Sequence, residues 1–360
     1  MPASEHSCKV ELKTSVWLLQ ESELYDYQSS YKRSSSFQLA HSSAVYQCGS
    51  EVVVLPLDAQ VPVGAEKLAV IFVHEDSALV VNAQTMQNED CAAKSMWLVA
   101  SQMKFGRRSG CQLREGDVIR LANREWAVTE ISAGQSSQPQ CISAQLQETP
   151  ADAQCKICLG YESSPEDPLV APCNCKGSVR YLHVGCLDHW LASKLRHQDQ
   201  HYRSRYRSPS LDCGLCGKTL PLNLEVNGRH FHNLGVSKPR DRYVVLRDPA
   251  NNEVQLWHWD DCRELGLGSG GENEIMLEGL SYRHAKVVFK GSQLRLRDRN
   301  SRFGSLVLVQ KPLMLTRGDF AAVQCGNVLL RINLKKSGFF GCFGSQRKSV
   351  SYADLEQDVV

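Results

Sequence analysis

Eight cysteine and histidine residues constrain this chain more than any other feature of its 360 residues. They form four short-spaced pairs: Cys155 and Cys158, Cys173 and Cys175, His183 and Cys186, and Cys213 and Cys216. Zinc binds four soft or borderline ligands in a tetrahedron, and a tight pair on a turn supplies two of them at little cost in loop entropy. Two pairs complete one closed site, so four pairs predict two sites. Closed sites without an open coordination position are structural and not catalytic.

Disulfide bonds and unrelated core thiols are the alternatives to metal sites. No signal peptide precedes the cysteines, and cytosolic thiols stay reduced, so disulfides are not expected. A single C-x-x-C pair would be weak support for a metal site, but four short-spaced pairs rarely arise by chance. The chain has 15 cysteines, and those outside the pairs lack such spacing. We interpret them as reduced core or surface thiols.

The order of the pairs resembles that of a RING-CH (RINGv) domain, with seven residues between Cys175 and His183. The segment "DPLVAPCNCKGSVRYLHVGCLDHWL" is similar to the P-C-x-C-x-G and H-x-x-C-L-x-x-W-L blocks of that family. The resemblance covers about one sixth of the chain. A PHD finger has the same ligand order. It usually has a shorter step to its histidine and a tryptophan just before the last pair, whereas Trp190 follows Cys186 here.

The RING-CH resemblance implies a cross-brace, in which the first and third pairs hold one Zn²⁺ and the second and fourth pairs hold another. It also implies a RING-type E3 ubiquitin ligase, which binds a ubiquitin-charged E2 enzyme and positions the thioester for attack by a substrate lysine. Every cysteine of the motif is a ligand, so no catalytic nucleophile is expected. The implied E2 surface comprises Ile157, Pro172 and Trp190, with Lys218 as a candidate cation beside E2 and ubiquitin. Packing between the zinc ions is the alternative role of Ile157 and Trp190.

The rest of the sequence contains many short apolar runs that are typical of β-strands. Net charge is +2, which gives no general attraction to nucleic acid, and no apolar run is long enough for a transmembrane helix. We expect a soluble cytoplasmic or nuclear protein, with membrane contact through Cys342 as the alternative to a disordered tail. The predicted fold is mainly β and multi-domain: a β-rich N-terminal module (1–131), a linker (132–150), the zinc finger (151–220), a β-sandwich (241–334) and a disordered tail (335–360).

The predicted C-terminal sandwich resembles an FHA domain, a fold that binds phosphothreonine peptides through loops at one end. The run "SYRH", residues 281–284, matches the S-x-x-H block of that family. Ser281, Arg283 and Arg302 are the candidate phosphopeptide contacts, because a phosphate dianion needs guanidinium and hydroxyl donors. Leucine and phenylalanine replace the usual arginine and asparagine of the family, and losing one charge-assisted contact would weaken phosphate binding about ten- to hundredfold. Protein interaction without phosphate is therefore the alternative.

An L-x-x-G-D motif occurs twice, starting at Leu113 and at Leu315, and each copy precedes a strand, a turn and another strand. Both would begin the closing hairpin of an FHA-like sandwich. We interpret the N-terminal module as a divergent FHA-like copy, although it has no matching S-x-x-H block. The order FHA-like module, RING-CH, FHA resembles a group of soluble RING-CH proteins of ciliates and related protists.

The loop between the third and fourth pairs contains "RHQDQHYRSRYRSPS", which is basic with interleaved tyrosines. We predict a solvated loop, since it is too short to form a groove that binds single-stranded nucleic acid. No nucleic-acid partner is expected. Three functions stay open: a ligase whose FHA domain selects protein substrates, a zinc-braced adaptor that reads phosphorylated proteins, and a scaffold without either activity.

Overall fold

A computed structural model of the chain describes eleven stretches of sequence. They are residues 9–18, 25–83, 94–105, 108–134, 150, 152–207, 211–231, 233–248, 250, 253–259 and 264–335. The predicted linker (132–150) and the predicted tail (335–360) lie almost entirely outside the described residues, so both stay predictions.

Short strands dominate the described residues, as the apolar runs predict. The N-terminal segment forms β1 (Val10–Trp17), β2 (Lys32–Leu39), β3 (Ser43–Cys48), β4 (Glu51–Pro56), β5 (Glu66–Val73), β6 (Ser77–Asn82), β7 (Met96–Phe105), β8 (Arg108–Ser109), β9 (Cys111–Leu113), β10 (Val118–Leu121) and β11 (Arg124–Ala133). The central segment forms β12 (Leu169–Val170), β13 (Leu182–His183), α1 (Val184–Lys194), β14 (Arg196–Gln200), β15 (Arg203–Arg207), β16 (Leu224–Val226) and β17 (Arg229–Phe231). The C-terminal segment forms β18 (Arg242–Asp248), β19 (Glu253–Trp259), β20 (Glu264–Gly268), β21 (Ile275–Met276), β22 (Ala285–Lys290), β23 (Gln293–Asp298), β24 (Ser305–Leu308), β25 (Leu313–Thr316), β26 (Phe320–Cys325) and β27 (Val328–Leu334).

One large sheet runs through both ends of the chain. It has 13 strands, in the order β14-β15-β19-β18-β11-β10-β24-β7-β26-β27-β1-β2, with β8 beside β7. Two five-stranded sheets have the orders β25-β6-β5-β3-β4 and β21-β20-β22-β23-β9. Buried side chains from all three sheets form one apolar cluster, which includes Leu12, Ile71, Trp126, Leu246 and Leu296. The two small sheets therefore share a continuous core with the large one.

The closing strands of the two halves are exchanged. β9 of the N-terminal segment pairs with β23, where Leu113 lies opposite Leu294, and β25 of the C-terminal segment pairs with β6, where Leu313 lies opposite Val80. In the large sheet, β10 and β11 lie between β24 and β18, and β26 and β27 lie between β7 and β1. The predicted boundaries at 1–131 and 241–334 therefore do not separate two sheets, because each half is completed by three strands of the other.

The repeated L-x-x-G-D motif forms two equivalent turns, which confirms that the two copies begin matching hairpins. Gly116 and Gly318 have φ angles of +89° and +87°, values that suit glycine. Their amides donate to carbonyls of the far strand at 2.8 and 2.9 Å. The carboxylates of Asp117 and Asp319 accept the backbone amide three residues earlier, at 2.7 and 2.9 Å. That the two halves are FHA-like sandwiches stays a prediction.

The basic loop between the third and fourth pairs is a hairpin, so the prediction of a solvated loop is wrong. β14 and β15 pair with each other, and β15 extends the large sheet by pairing with β19 along its whole length. Arg203 and Tyr206 are buried. Arg205 and Arg207 bind the buried carboxylate of Glu253 on β19. Because this partner is about fifty residues away in sequence, the composition of the loop alone did not reveal it.

Candidate metal centres

The eight predicted ligands come together in two sets of four. The first set is Cys155, Cys158, His183 and Cys186, and the second set is Cys173, Cys175, Cys213 and Cys216. Within each set the ligand atoms all lie within 4.8 Å of one another. Three thiols with one imidazole, and four thiols, are the donor sets of closed tetrahedral zinc sites. The residues therefore fit two zinc ions, and their interleaving is the cross-brace that the RING-CH resemblance implies.

The two C-x-x-C pairs have the same turn geometry. In each turn the amide of the first cysteine, Cys155 or Cys213, donates to the carbonyl five residues later at 2.9 Å. The carbonyl of that cysteine accepts the amide four residues later, also at 2.9 Å. The residues at that fourth position, Leu159 and Gly217, have φ angles of 61° and 70°. These turns direct both thiols of a pair to one side.

His183 is oriented by a second hydrogen bond. Its Nδ1 lies 3.2 Å from Sγ of Cys158 and 3.9 Å from Sγ of Cys186, while its Nε2 lies 2.5 Å from the carbonyl oxygen of Glu162. A carbonyl oxygen can only accept, so Nε2 carries the proton and the lone pair of Nδ1 faces the thiols. A fixed tautomer of this kind is the usual arrangement for a zinc-binding histidine.

Helix α1 joins the metal centres to the sheets. It follows His183 directly and carries Cys186 in its first turn. Its buried residues Leu187 and Leu191 belong to an apolar cluster that includes ligand cysteines and residues of β15, β18 and β19. The carboxylate of Asp188 accepts the amide of Gly235 at 2.7 Å. The metal-binding segment is therefore packed onto the large sheet.

The pKa of at least one thiol is lowered in each set: Cys155 in the first set, and Cys213 and Cys216 in the second. Burial raises the pKa of Cys155, but backbone amides that donate to its sulfur lower that pKa to about 6. Backbone amides of the same turn donate to the sulfur of Cys213 and lower its pKa to about 6, and burial raises this pKa by a smaller amount. Burial, followed by hydrogen bonds with neighbouring thiols, raises the pKa of Cys175 and of Cys186 to about 12. Each set thus offers a thiolate for a first cation contact, and the other thiols release their protons to the solvent when the metal binds.

Lys156 is a residue of the metal centres that the sequence analysis missed. It stands between Cys155 and Cys158 of the first set, but its Nζ lies 3.9 Å from Sγ of Cys173 and 3.8 Å from Sγ of Cys213, both of the second set. Its position inside a C-x-x-C pair was the available signal. That position does not indicate which set the side chain approaches.

The predicted E2 contacts differ in exposure. Ile157 is 46% exposed on the first turn, Lys218 is exposed, and Trp190 is partly buried against the core of the metal-binding segment. Pro172 is buried, which does not support a direct contact with an E2 enzyme. Leu215, on the second C-x-x-C turn, was not predicted and is 68% exposed. An apolar residue between two cysteines of a tight turn was the signal that could have identified it.

The predicted phosphopeptide contacts already have partners within the chain. Arg283 forms an ion pair with Glu272, and Nε of Arg302 donates to the carboxylate of Asp26 at 2.9 Å. The hydroxyl of Ser281 accepts the backbone amide of Arg302 at 3.1 Å. Both guanidinium groups are thus paired with carboxylates, which favours the alternative of interaction without phosphate.

Within the described stretches, no helix has the length and apolar character needed to cross a membrane. The helix α1 has 11 residues.

Residues 155–216 match the family model described as "RING-variant domain". The chain is 47% identical over 47 residues to the ERAD-associated E3 ubiquitin-protein ligase DOA10 of Saccharomyces cerevisiae, which covers 13% of the chain and 4% of the relative. It is 44% identical over 96 residues to the human E3 ubiquitin-protein ligase MARCHF3, which covers 27% of this chain and 26% of the relative. It is 35% identical over 75 residues to the mouse E3 ubiquitin-protein ligase MARCHF7, which covers 20% of this chain and 9% of the relative. The chain thus matches about a quarter or less of each relative, and no solved structure matches it.

Proposed function

We propose that the RING-variant domain at residues 155–216 makes this protein a RING-type E3 ubiquitin ligase with two structural zinc ions. One observation carries the proposal: the eight ligands form two closed four-ligand sets in the cross-brace arrangement. The match to the RING-variant model, and relatives named as E3 ubiquitin-protein ligases, support the same activity. An E2 enzyme, ubiquitin and a protein substrate are the partners that this activity requires.

The proposed mechanism is positioning and not covalent catalysis. Zinc, when bound, supplies fixed cross-links between the turns. The chain's own residues then present an apolar surface: Ile157 on the first C-x-x-C turn and Leu215 on the second. Lys218 is exposed just beyond the second turn and would contact E2 or ubiquitin. Trp190 is proposed to support this surface from α1. An E2 enzyme held there presents its ubiquitin thioester to a substrate lysine.

Substrate recruitment is proposed for the two β-sandwiches. The packing of α1 onto the large sheet, and the pairing of β15 within that sheet, support a defined orientation of the E2 surface relative to them. The ion pairs Arg283–Glu272 and Arg302–Asp26 support recruitment of substrates without phosphate. Phosphothreonine reading through Ser281 is the alternative, and saturable binding of phosphothreonine peptides by the full chain would establish it.

The test of the ligase is ubiquitin transfer with a panel of E2 enzymes, E1, ubiquitin and ATP. The full chain is compared with Ile157→Ala, Leu215→Ala and a control, Val63→Ala, which removes a fully exposed apolar side chain outside the domain. We expect both turn variants to lose at least about 90% of transfer, since anchors of an interface often contribute 2 kcal/mol or more. The control keeps its activity, and all variants keep two zinc ions by metal analysis.

Absence of transfer with every E2 enzyme, in a chain that holds two zinc ions, would refute the ligase. The function would then be that of a zinc-braced adaptor or scaffold. The observation that favours this second candidate is that the edge strands of the large sheet, β2 and β14, are mostly exposed, because exposed sheet edges can pair with protein partners. Pull-down with the wild type and with Ile157→Ala distinguishes the ligase from the adaptor or scaffold. A ligase should retain E2 enzymes, and Ile157→Ala should lose them. An adaptor or scaffold should retain other proteins, and Ile157→Ala should not change which ones.

A further inference from the structure

Lys156 connects the two metal sets. Its backbone amide donates to the carbonyl of Tyr181 at 2.9 Å, two residues before the histidine ligand of the first set. Its side chain extends in the other direction, and the ammonium lies 3.9 Å from Sγ of Cys173 and 3.8 Å from Sγ of Cys213. These are separations at which an ammonium donates hydrogen bonds to sulfur. One residue of the first C-x-x-C turn therefore contacts two ligands of the second set.

The second set has the greater need for a cation. Four thiolates around a divalent ion leave a formal charge of −2, whereas three thiolates and a neutral imidazole leave −1. Cys173, Cys175 and Cys213 are all buried. Negative charge that is removed from water is costly unless a positive group and hydrogen bonds compensate it. The ammonium of Lys156 supplies both to two of the four sulfurs.

We propose that Lys156 is a positioning residue of the second metal set, which stabilises the thiolates of Cys173 and Cys213 and so retains the metal ion there. Because Lys156 belongs to the first C-x-x-C turn, that turn supports the second set through a side chain as well as through the interleaved backbone. The inference rests on the two metal sites of the proposed function. It does not depend on ligase activity.

The experiment uses the full chain loaded with ¹¹³Cd in place of zinc, at constant neutral pH. Cadmium bound by four thiolates and cadmium bound by three thiolates and one imidazole give separate NMR signals, so the two sets are observed individually. EDTA is then titrated against the wild type, Lys156→Met, Lys156→Arg and Lys176→Met. Lys176 is the matched control, because it follows the ligand Cys175 directly and its side chain is exposed.

We expect Lys156→Met to weaken cadmium binding at the four-thiolate set about tenfold, which is the lower end of what loss of an outer hydrogen-bond partner typically costs a metal site. The signal of the first set should require the same EDTA concentration as in the wild type. Lys156→Arg keeps the charge and the donors, and should restore most of the affinity. Lys176→Met should match the wild type.

Unchanged binding at the four-thiolate set in Lys156→Met would overturn the proposal. Equal weakening of both signals would also overturn it, because that result indicates a general loss of folding. Failure of Lys156→Arg to restore affinity would contradict the electrostatic argument, because this variant keeps the positive charge and the N–H donors. A wild-type chain that binds fewer than two cadmium ions would refute the metal centres themselves. Normal metal binding without ubiquitin transfer would refute only the ligase.

Discussion

Glu253 should control how firmly the β14–β15 hairpin is held to the large sheet. Its side chain is 0% exposed, and its carboxylate accepts hydrogen bonds from Arg205 at 3.2 and 2.8 Å and from Arg207 at 2.7 Å. Both arginines lie in β15, within the loop that separates the third and fourth ligand pairs. The substitution Glu253→Gln keeps the shape of the side chain and removes its charge. It therefore tests the ionic part of the contact between β15 of the metal-binding segment and β19 of the large sheet.

The pKa of Glu253 gives the magnitude. Burial alone would raise this pKa, but hydrogen bonds from Arg205, Arg207 and Gln255 lower it from 4.5 to about 2. A folded-state pKa below the unfolded value stabilises the protein above the unfolded pKa, and the stabilisation is lost as the pH falls from about 4.5 to about 2. At neutral pH the full contribution is present, at most about 3.4 kcal/mol at 1.36 kcal/mol per unit. Arg205 and Arg207 are 22% and 60% exposed, so solvent screening reduces our expectation to about 2 kcal/mol.

Hydrogen exchange at neutral pH, followed by mass spectrometry, measures this contribution locally. A loss of about 2 kcal/mol corresponds to exchange about thirtyfold faster in the hairpin at 196–207. Glu264→Gln is the matched control. Its pair with Lys286 is partly exposed on both sides, so its removal should change exchange less than about threefold. Hairpin exchange in Glu253→Gln within twofold of the wild type would refute the reasoning, as would equal acceleration in the distant strands β3–β6.

The remaining predictions concern a glycine, the metal and the exchanged strands. Gly235→Ala should cost about 3 kcal/mol in thermal unfolding, because φ is +82° and a Cβ would lie 2.8 Å from Leu195 and 2.9 Å from atoms of α1. Gly217→Ala, with φ of +70° and open space around its Cβ, should cost about 1 kcal/mol, and equal costs of the two substitutions would contradict this. EDTA should release two zinc ions per chain and speed hydrogen exchange in 155–216 but not in β3–β6. Fragment 241–335 should give a dispersed NMR spectrum only when co-expressed with fragment 1–134, and dispersion by the fragment alone would contradict the strand exchange.

The sequence predicted that the eight cysteine and histidine residues cluster in two sets of four, because the determinants of that clustering are local. Ligands at spacings of two and three residues need only a tight turn, and the tetrahedral valence of zinc limits how the pairs combine. The two L-x-x-G-D turns were recognisable for the same reason. A glycine with positive φ, such as Gly116, and a neighbouring aspartate that caps the turn are needed wherever such a hairpin begins.

The strand exchange could not be predicted, because alternating apolar residues specify a buried face but not a partner. Leu113 on β9 lies opposite Leu294, and Leu315 on β25 lies opposite Ala78. A pairing of each strand within its own half would bury similar side chains. The contacts of the hairpin at 196–207 escaped prediction for a related reason. Its arginines are typical of a solvated loop until the buried carboxylate of Glu253 is placed beside them by long-range pairing.

Strand exchange also determines which strand pairs can form before synthesis of the chain is complete. β1 pairs with β27, so the first strand of the N-terminal segment has no neighbour on that side until the last described strand has been synthesised. The metal-binding segment, by contrast, lies between the two halves and leaves the ribosome with all of its ligands before β25–β27 exist. During translation the cross-brace can therefore take up metal while the sheets still lack the strands β25–β27. A message that ends before β25 would encode a chain with all eight ligands but without the strands that pair with β1 and β6. Exposed sheet edges of that kind are what chaperones and proteases recognise.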